Sequence, residues 1–178
     1  MNKLIKAVAF VVIFVVMGTS SLVGAQVNGG VTPVITQAFA AKEISPRQNW
    51  KIYLNVSDQN GEMKNIYAII DQPGVGPYPL RIIKIREENQ KDLSGYLYLI
   101  TSTPFALEFV NITLTVQIQD KSGIFSEPRV FPLLFNSRAT QETPPEGVFK
   151  EQDLGPIMVK LKTVDGSSGG GRSPSGGR

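Results

Sequence analysis

Ile112-Thr113-Leu114-Thr115-Val116-Gln117-Ile118-Gln119 is the stretch on which the fold turns. Aliphatic residues hold every second position and polar residues the others, the period of a strand with one buried face and not of a helix. Asp120-Lys121-Ser122-Gly123 follows as its turn, and residues 129–135 read as a returning strand. Pro128 and Pro132 push that strand toward a sheet edge, because proline has no amide to give a central ladder. Working back along the chain, Trp50-Lys51-Ile52-Tyr53-Leu54-Asn55-Val56 alternates in the same way. Asp58-Gln59-Asn60-Gly61 supplies its turn, since Asn and Gly accept positive φ. Residues 63–71, 81–86 and 93–100 read as three further strands. The segment 72–79, with Pro73, Gly74, Gly76, Pro77 and Pro79, cannot be a strand interior or a helix and reads as a crossing loop or a ragged edge. Residues 34–39 are a candidate first strand. Ile157, Val159 and Leu161 alternate with Met158, Lys160 and Lys162, which predicts a last edge strand over 157–164. One turn of helix fits residues 105–108. The expectation is an all-β antiparallel sandwich of about seven to eight strands.

Two segments repeat a plan. Tyr53-Leu54-Asn55-Val56-Ser57-Asp58-Gln59-Asn60-Gly61 and Val116-Gln117-Ile118-Gln119-Asp120-Lys121-Ser122-Gly123 each end an alternating strand at Asp, with Gly three residues later. Hairpins of this kind, separated by strands and Pro-rich crossovers, are what a Greek-key sandwich produces, one per sheet or one bridging the sheets. The phrase from Val116 through Gly123, followed by Ser126-Glu127-Pro128, resembles the closing hairpin of bacterial immunoglobulin-like, cadherin-like and fibronectin type III-like domains. In those domains a strand, Asp, a short Gly turn and Ser-x-Pro recur. The resemblance covers residues 50–136 and implies an immunoglobulin-like β-sandwich; it implies no activity. Antibody-type domains add a disulfide, and this chain has no cysteine, which places it with the cysteine-free bacterial members. Trp50 suits either a buried core tryptophan or an end cap.

Residues 1–25 read as a secretory signal peptide: Lys3 and Lys6 lead, residues 7–17 are apolar, and Val23-Gly24-Ala25 offers a small-residue cleavage site before Gln26. An uncleaved anchor would need about 20 apolar residues, and the run covers eleven positions, 7 to 17. Ala25 stands where lipoprotein chemistry needs a cysteine. Residues 26–49 read as an extended leader with the possible first strand, 50–136 as the sandwich, 137–165 as a linker with the extra edge strand, and 166–178 as a Gly/Ser-rich tail without apolar residues, expected to be disordered. Export points to the periplasm, the cell surface or the medium, with no transmembrane segment once the signal is cleaved. Lys3 and Lys6 leave with the signal and no acidic residue does, so the net charge falls from +3 to +1. That balance argues against nucleic acid, which requires a concentrated basic face.

The chain has no histidine and no cysteine, which removes the commonest general base, thiol nucleophiles and thiolate metal sites. No nucleophile, base and orienting group occur together, so the chain is read as not an enzyme and without a cofactor. A carboxylate-based hydrolase would need acids such as Glu87-Glu88, or Asp58 with Glu62, to converge in a cleft. The acidic turn Asp58-Gln59-Asn60-Gly61-Glu62 has oxygen ligands at alternate positions and partly resembles calcium loops, with Asp120 as a further ligand if both turns share one end. Turn chemistry alone also accounts for each of these residues. Gly74-Val75-Gly76 lacks the helix and lysine of a phosphate loop. Tyr67, Tyr78, Tyr96, Tyr98, Phe105 and Phe109 either line a binding surface or pack as core and cross-strand pairs. The functional expectation is an exported, non-catalytic module for adhesion, scaffolding or protein binding at the cell envelope, with a protein or cell-surface partner. The alternative is a structural subunit of a surface assembly that self-associates through the edge at 129–135 or 157–164.

Overall fold

A computed structural model describes residues 31–100 and 107–163. The expected signal peptide, the first residues of the leader, the Gly/Ser tail and residues 105–106 of the expected helical turn lie outside the described residues.

The described residues form ten strands: β1 Val34–Ala40, β2 Glu43–Ile44, β3 Trp50–Ser57, β4 Met63–Gln72, β5 Gly76–Pro77, β6 Arg81–Lys84, β7 Asp92–Leu99, β8 Asn111–Asp120, β9 Arg129–Phe135 and β10 Asp153–Ile157. A short 3-10 turn, Glu87–Asn89, precedes β7. Sheet A has the order β1-β3-β7-β10, and sheet B the order β2-β9-β8-β4-β5, with β6 also on β4. This is an immunoglobulin-like sandwich: the first strand pairs antiparallel with β3, then the chain crosses and β2 pairs parallel with β9.

Alternation dictates the layers. Ile52, Leu54 and Val56 of β3 with Leu93, Leu97 and Leu99 of β7 face Ile66, Ala68 and Ile70 of β4 and Ile112, Leu114, Val116 and Ile118 of β8 in one core. Each buried aliphatic side chain contributes about 1.5–3 kcal/mol. Trp50 unites the two roles left open for it, since it is buried at the start of β3 and its Nε1 donates to Ala41 O at 2.8 Å.

Three expectations change. The described strands number ten where about seven to eight were expected, because β2 and β5 are two-residue edge pieces too short to show a period. The sandwich is not wholly antiparallel, because β2–β9 and β10–β7 are parallel edge pairs. The last strand is not 157–164 but β10, Asp153–Ile157. The alternation beyond Ile157 is real, with Ile157 and Leu161 buried and Met158 exposed. However, the ladder ends where Ile157 meets Leu99, the last residue of β7. Past that point buried Gln72 holds the segment, its Nε2 donating to Lys162 O at 2.7 Å, and Lys162 N donates to Tyr78 Oη at 2.7 Å. Gly95 admits the β10 segment to β7, since a Cβ there would collide with Gln152 O and lie 2.9 Å from the Leu154 side chain.

The outer faces of the two sheets differ. Residues 141–152 run as a strap across sheet A. Asn55 Nδ2 donates to Val148 O at 2.9 Å, Lys150 N to Ser94 Oγ at 3.0 Å, and the Phe149 and Tyr53 ring centroids are 5.6 Å apart. Tyr53, an outward residue of β3, is therefore only 5% exposed. On sheet B the outward set is Ile82 of β6, Tyr67, Ile69 and Asp71 of β4, Thr113, Thr115 and Gln117 of β8, and Val130 and Pro132 of β9. No strap crosses them among the described residues, and Ile82 and Val130 stay 56% and 58% exposed.

Candidate functional site

The two ends of the sandwich are built on different chemistry. At one end lie the acidic turns. Asp58 closes β3, is 2% exposed, and accepts Asn60 N on Oδ1 at 3.2 Å and Glu62 N on Oδ2 at 2.7 Å. Its carbonyl accepts Gly61 N at 3.1 Å, with Gly61 at φ +67°. Asp120 repeats the device at the end of β8: Oδ1 accepts Ile124 N at 2.8 Å and its carbonyl accepts Gly123 N at 3.3 Å. The sequence echo is thus one capped turn used twice, once between the sheets and once within sheet B. The turns do share an end, because Met63 pairs with Asp120 and Lys121 N donates to Glu62 O at 2.9 Å. Asp58, Asn60, Glu62 and Asp120 are brought to this end, but among the described residues no group of three or more acidic side chains is arranged to hold a metal ion. The carboxylates of Asp58 and Asp120 are engaged with turn amides instead.

The opposite end carries an open cleft of about 790 Å³ that the sequence reading did not single out. Three loops form it: Ser45 to Arg47 after β2, Glu108 and Phe109 before β8, and Asn136 to Arg138 after β9. The Glu108 carboxylate ties two of these loops, accepting Ser137 N at 2.9 Å and Ser137 Oγ at 3.1 Å. Gln48 Oε1 accepts Ser45 N at 3.0 Å within the third. Phe109 stands at the mouth with φ +59°, alone among non-glycine described residues in the left-handed region. Its amide donates to Phe135 O at 2.8 Å, so the turn must take this shape for β8 to begin beside β9. A left-handed backbone costs a side-chain-bearing residue on the order of 1 kcal/mol or more, and Gly or Asn satisfies it more cheaply. The ring recovers little of that cost by burial, because Phe109 is 71% exposed. Arg47 and Arg138 line the same cleft. Phe109 was read in the sequence only as one aromatic among six, and the signal that separates it, the backbone angle, is not written in residue types.

The other described aromatics of that set have structural posts. Tyr96 and Tyr98 lie on the strap side of sheet A, 6.2 Å apart, and Tyr67 packs edge-on against Phe125 at 5.0 Å on sheet B. Under the strap, Glu151 accepts Lys51 Nζ at 2.9 Å and Tyr53 Oη at 2.8 Å. Lys51 also sits 4.0 Å above the Tyr96 ring. The hydrogen bond to Glu151 raises the Lys51 ammonium above its usual range, and the Lys51 and Tyr53 donors lower the Glu151 carboxyl. Burial, with the bond to Glu151, raises the Tyr53 phenol. This network pins the strap. Glu87 and Glu88 lie in the first turn of the 3-10 segment, which has no buried residue.

No family model matches the chain, and no curated protein matches it. Among solved structures it is similar to the PKD domain of an M14-like peptidase from Thermoplasmatales archaeon SCGC AB-540-F20, at 11% identity over 58% of this chain and 95% of that one, with a TM-score of 0.31. No helix among the described residues is long and apolar enough to cross a membrane.

Proposed function

We propose that this protein is an exported, non-catalytic immunoglobulin-like module that binds a protein partner at the cell envelope through the loops at its Phe109 end. One observation carries the reading: an aromatic ring occupies a left-handed turn position that Gly or Asn would fill at lower cost, and the ring is exposed to solvent where it lines the cleft at this end. Loops held on a rigid two-sheet frame are where such modules place recognition. The signal-like residues 1–25 support export.

Edge pairing, the rival route to a surface assembly, has less support. Leu134 N and Asn136 N donate toward β2, to Lys42 O and Ile44 O, so Pro132 stands where the next outward amide of β9 would be. On β1, Arg129 Nη2 caps Ile35 O at 3.1 Å, and the ladder is irregular between Ile35 and Gln37. Both are devices that blunt an edge.

The test replaces Phe109 with Asn, which tolerates the left-handed backbone but removes the ring. The expected result is a stability within about 1 kcal/mol of the parent. Peptides selected from a random display library on the parent protein should fail to bind Phe109→Asn. Selected peptides that bind both proteins equally would remove the end-loop reading.

A further inference from the structure

We infer that the outer face of sheet B is a self-association surface on which two copies of this chain stack face to face. The chain treats its two outer faces differently: it lays residues 141–152 over sheet A and buries Tyr53 there, but leaves sheet B without such a strap among the described residues. The central rows of sheet B carry no charged side chain. Ile82 and Tyr67 share one row with Gln117, and Ile69 and Thr115 share the next with Val130. An uncharged centre with exposed aliphatic side chains is the composition of an interface core.

The charges at the corners select the occupant. Lys84 lies beside Asn65 at one end of the β6/β4 ladder, and Asp71 lies at the other end of β4, past β6 and beside Pro77 of β5. A two-fold axis in the plane between two stacked sheets and perpendicular to the strands places each strand antiparallel to its own copy. That operation sets Tyr67 opposite Ile69 and Asn65 opposite Asp71, and it leaves Lys84, one strand to the side of Asn65, diagonally across from Asp71 of the other copy, twice. Such reciprocal contact defines an isologous dimer. Four strands about 4.8 Å apart and about eight residues long present roughly 500 Å² per copy. The total of roughly 1,000 Å² is at the lower bound for a specific interface, so the dimer is a reversible one. The inference does not depend on the Phe109 cleft, which lies at an end of the sandwich and stays open in the dimer.

The experiment is sedimentation equilibrium of the purified chain from micromolar to millimolar concentration. The average mass is expected to rise toward twice that of one chain. Val130→Glu and Ile82→Glu should each stay monomeric with an unshifted melting midpoint, Lys84→Asp should dissociate the dimer, and Lys84→Asp with Asp71→Lys should restore it. A single cysteine introduced at Thr115, in a chain that has none, should crosslink to its copy through a short bismaleimide, whereas one introduced at Thr36 on β1 should not; this arm stands even where a charged variant fails to fold. A constant single-chain mass, or association that survives both glutamate variants and crosslinks through Thr36→Cys, overturns the inference.

Discussion

Replacing Asp58 with Ala separates a structural turn from a metal turn. The substitution strips the acceptor from two amides, Asn60 N and Glu62 N, at a site only 2% exposed. Hydrogen bonds to a charged acceptor each contribute about 1.5–3 kcal/mol, and a buried donor left unpaired costs a similar amount. Because both amides belong to a turn that water can partly reach once the side chain is gone, we expect a loss of about 2–4 kcal/mol. For a domain of this size that lowers the thermal midpoint by roughly 10 °C. The assay is thermal unfolding followed by circular dichroism, once with chelator and once with millimolar calcium. A capped turn gives the same loss in both, and calcium leaves the parent midpoint in place. A shift below about 0.5 kcal/mol in chelator refutes the capping argument. A calcium-dependent rise in the parent that Asp58→Ala abolishes refutes it too and reinstates Asp58, Asn60, Glu62 and Asp120 as ligands.

Two further outcomes follow from the strap and its strand. Gly95→Ala sets a Cβ against Gln152 O, a main-chain atom that cannot step aside, and should destabilise by about 1–3 kcal/mol and expose residues 137–157 to protease first; unchanged proteolysis would show that β10 does not depend on that approach. Glu151→Gln removes an exposed ion pair of about 0.2–1 kcal/mol, and because the folded carboxyl is held low, its contribution is present above the ordinary carboxylate range and lost as pH falls through the lowered value. The parent and Glu151→Gln midpoints should therefore differ at neutral pH and converge in acid, and a difference that persists in acid would assign the effect to packing.

Strands with one wet face were legible because their alternation is a local property. β3, β4 and β8 fall where the periodicity of Ile, Leu and Val puts them. β10 was expected over 157–164 and lies at Asp153–Ile157, because Gly155 and Pro156 disguise it and because the alternation of 157–161 reports burial without reporting a pairing partner. β2 and β5, at two residues each, carry no period at all. The acidic turns were found as turns, and their shared end follows from the pairing of β4 with β8, which only tertiary structure sets. The Phe109 cleft was illegible for a different reason. Its loops come from residues 45–47, 108–109 and 136–138, far apart in sequence, and its distinguishing mark is a backbone angle.

The placement of the first and last strands gives the sandwich a mechanical axis. The described chain enters at β1 beside Ser57, at the acidic-turn end, and leaves past Ile157 beside Leu99, at the cleft end. A pull applied through these two points runs along the strands, so the β1–β3 and β7–β10 ladders are loaded in shear and their hydrogen bonds share the force. An unzipping geometry would break the same bonds one after another. Resistance to extension is then a matter of how fast a whole ladder gives way, and the Lys51, Tyr53 and Glu151 contacts that pin the strap act as a second fastening on the β10 side.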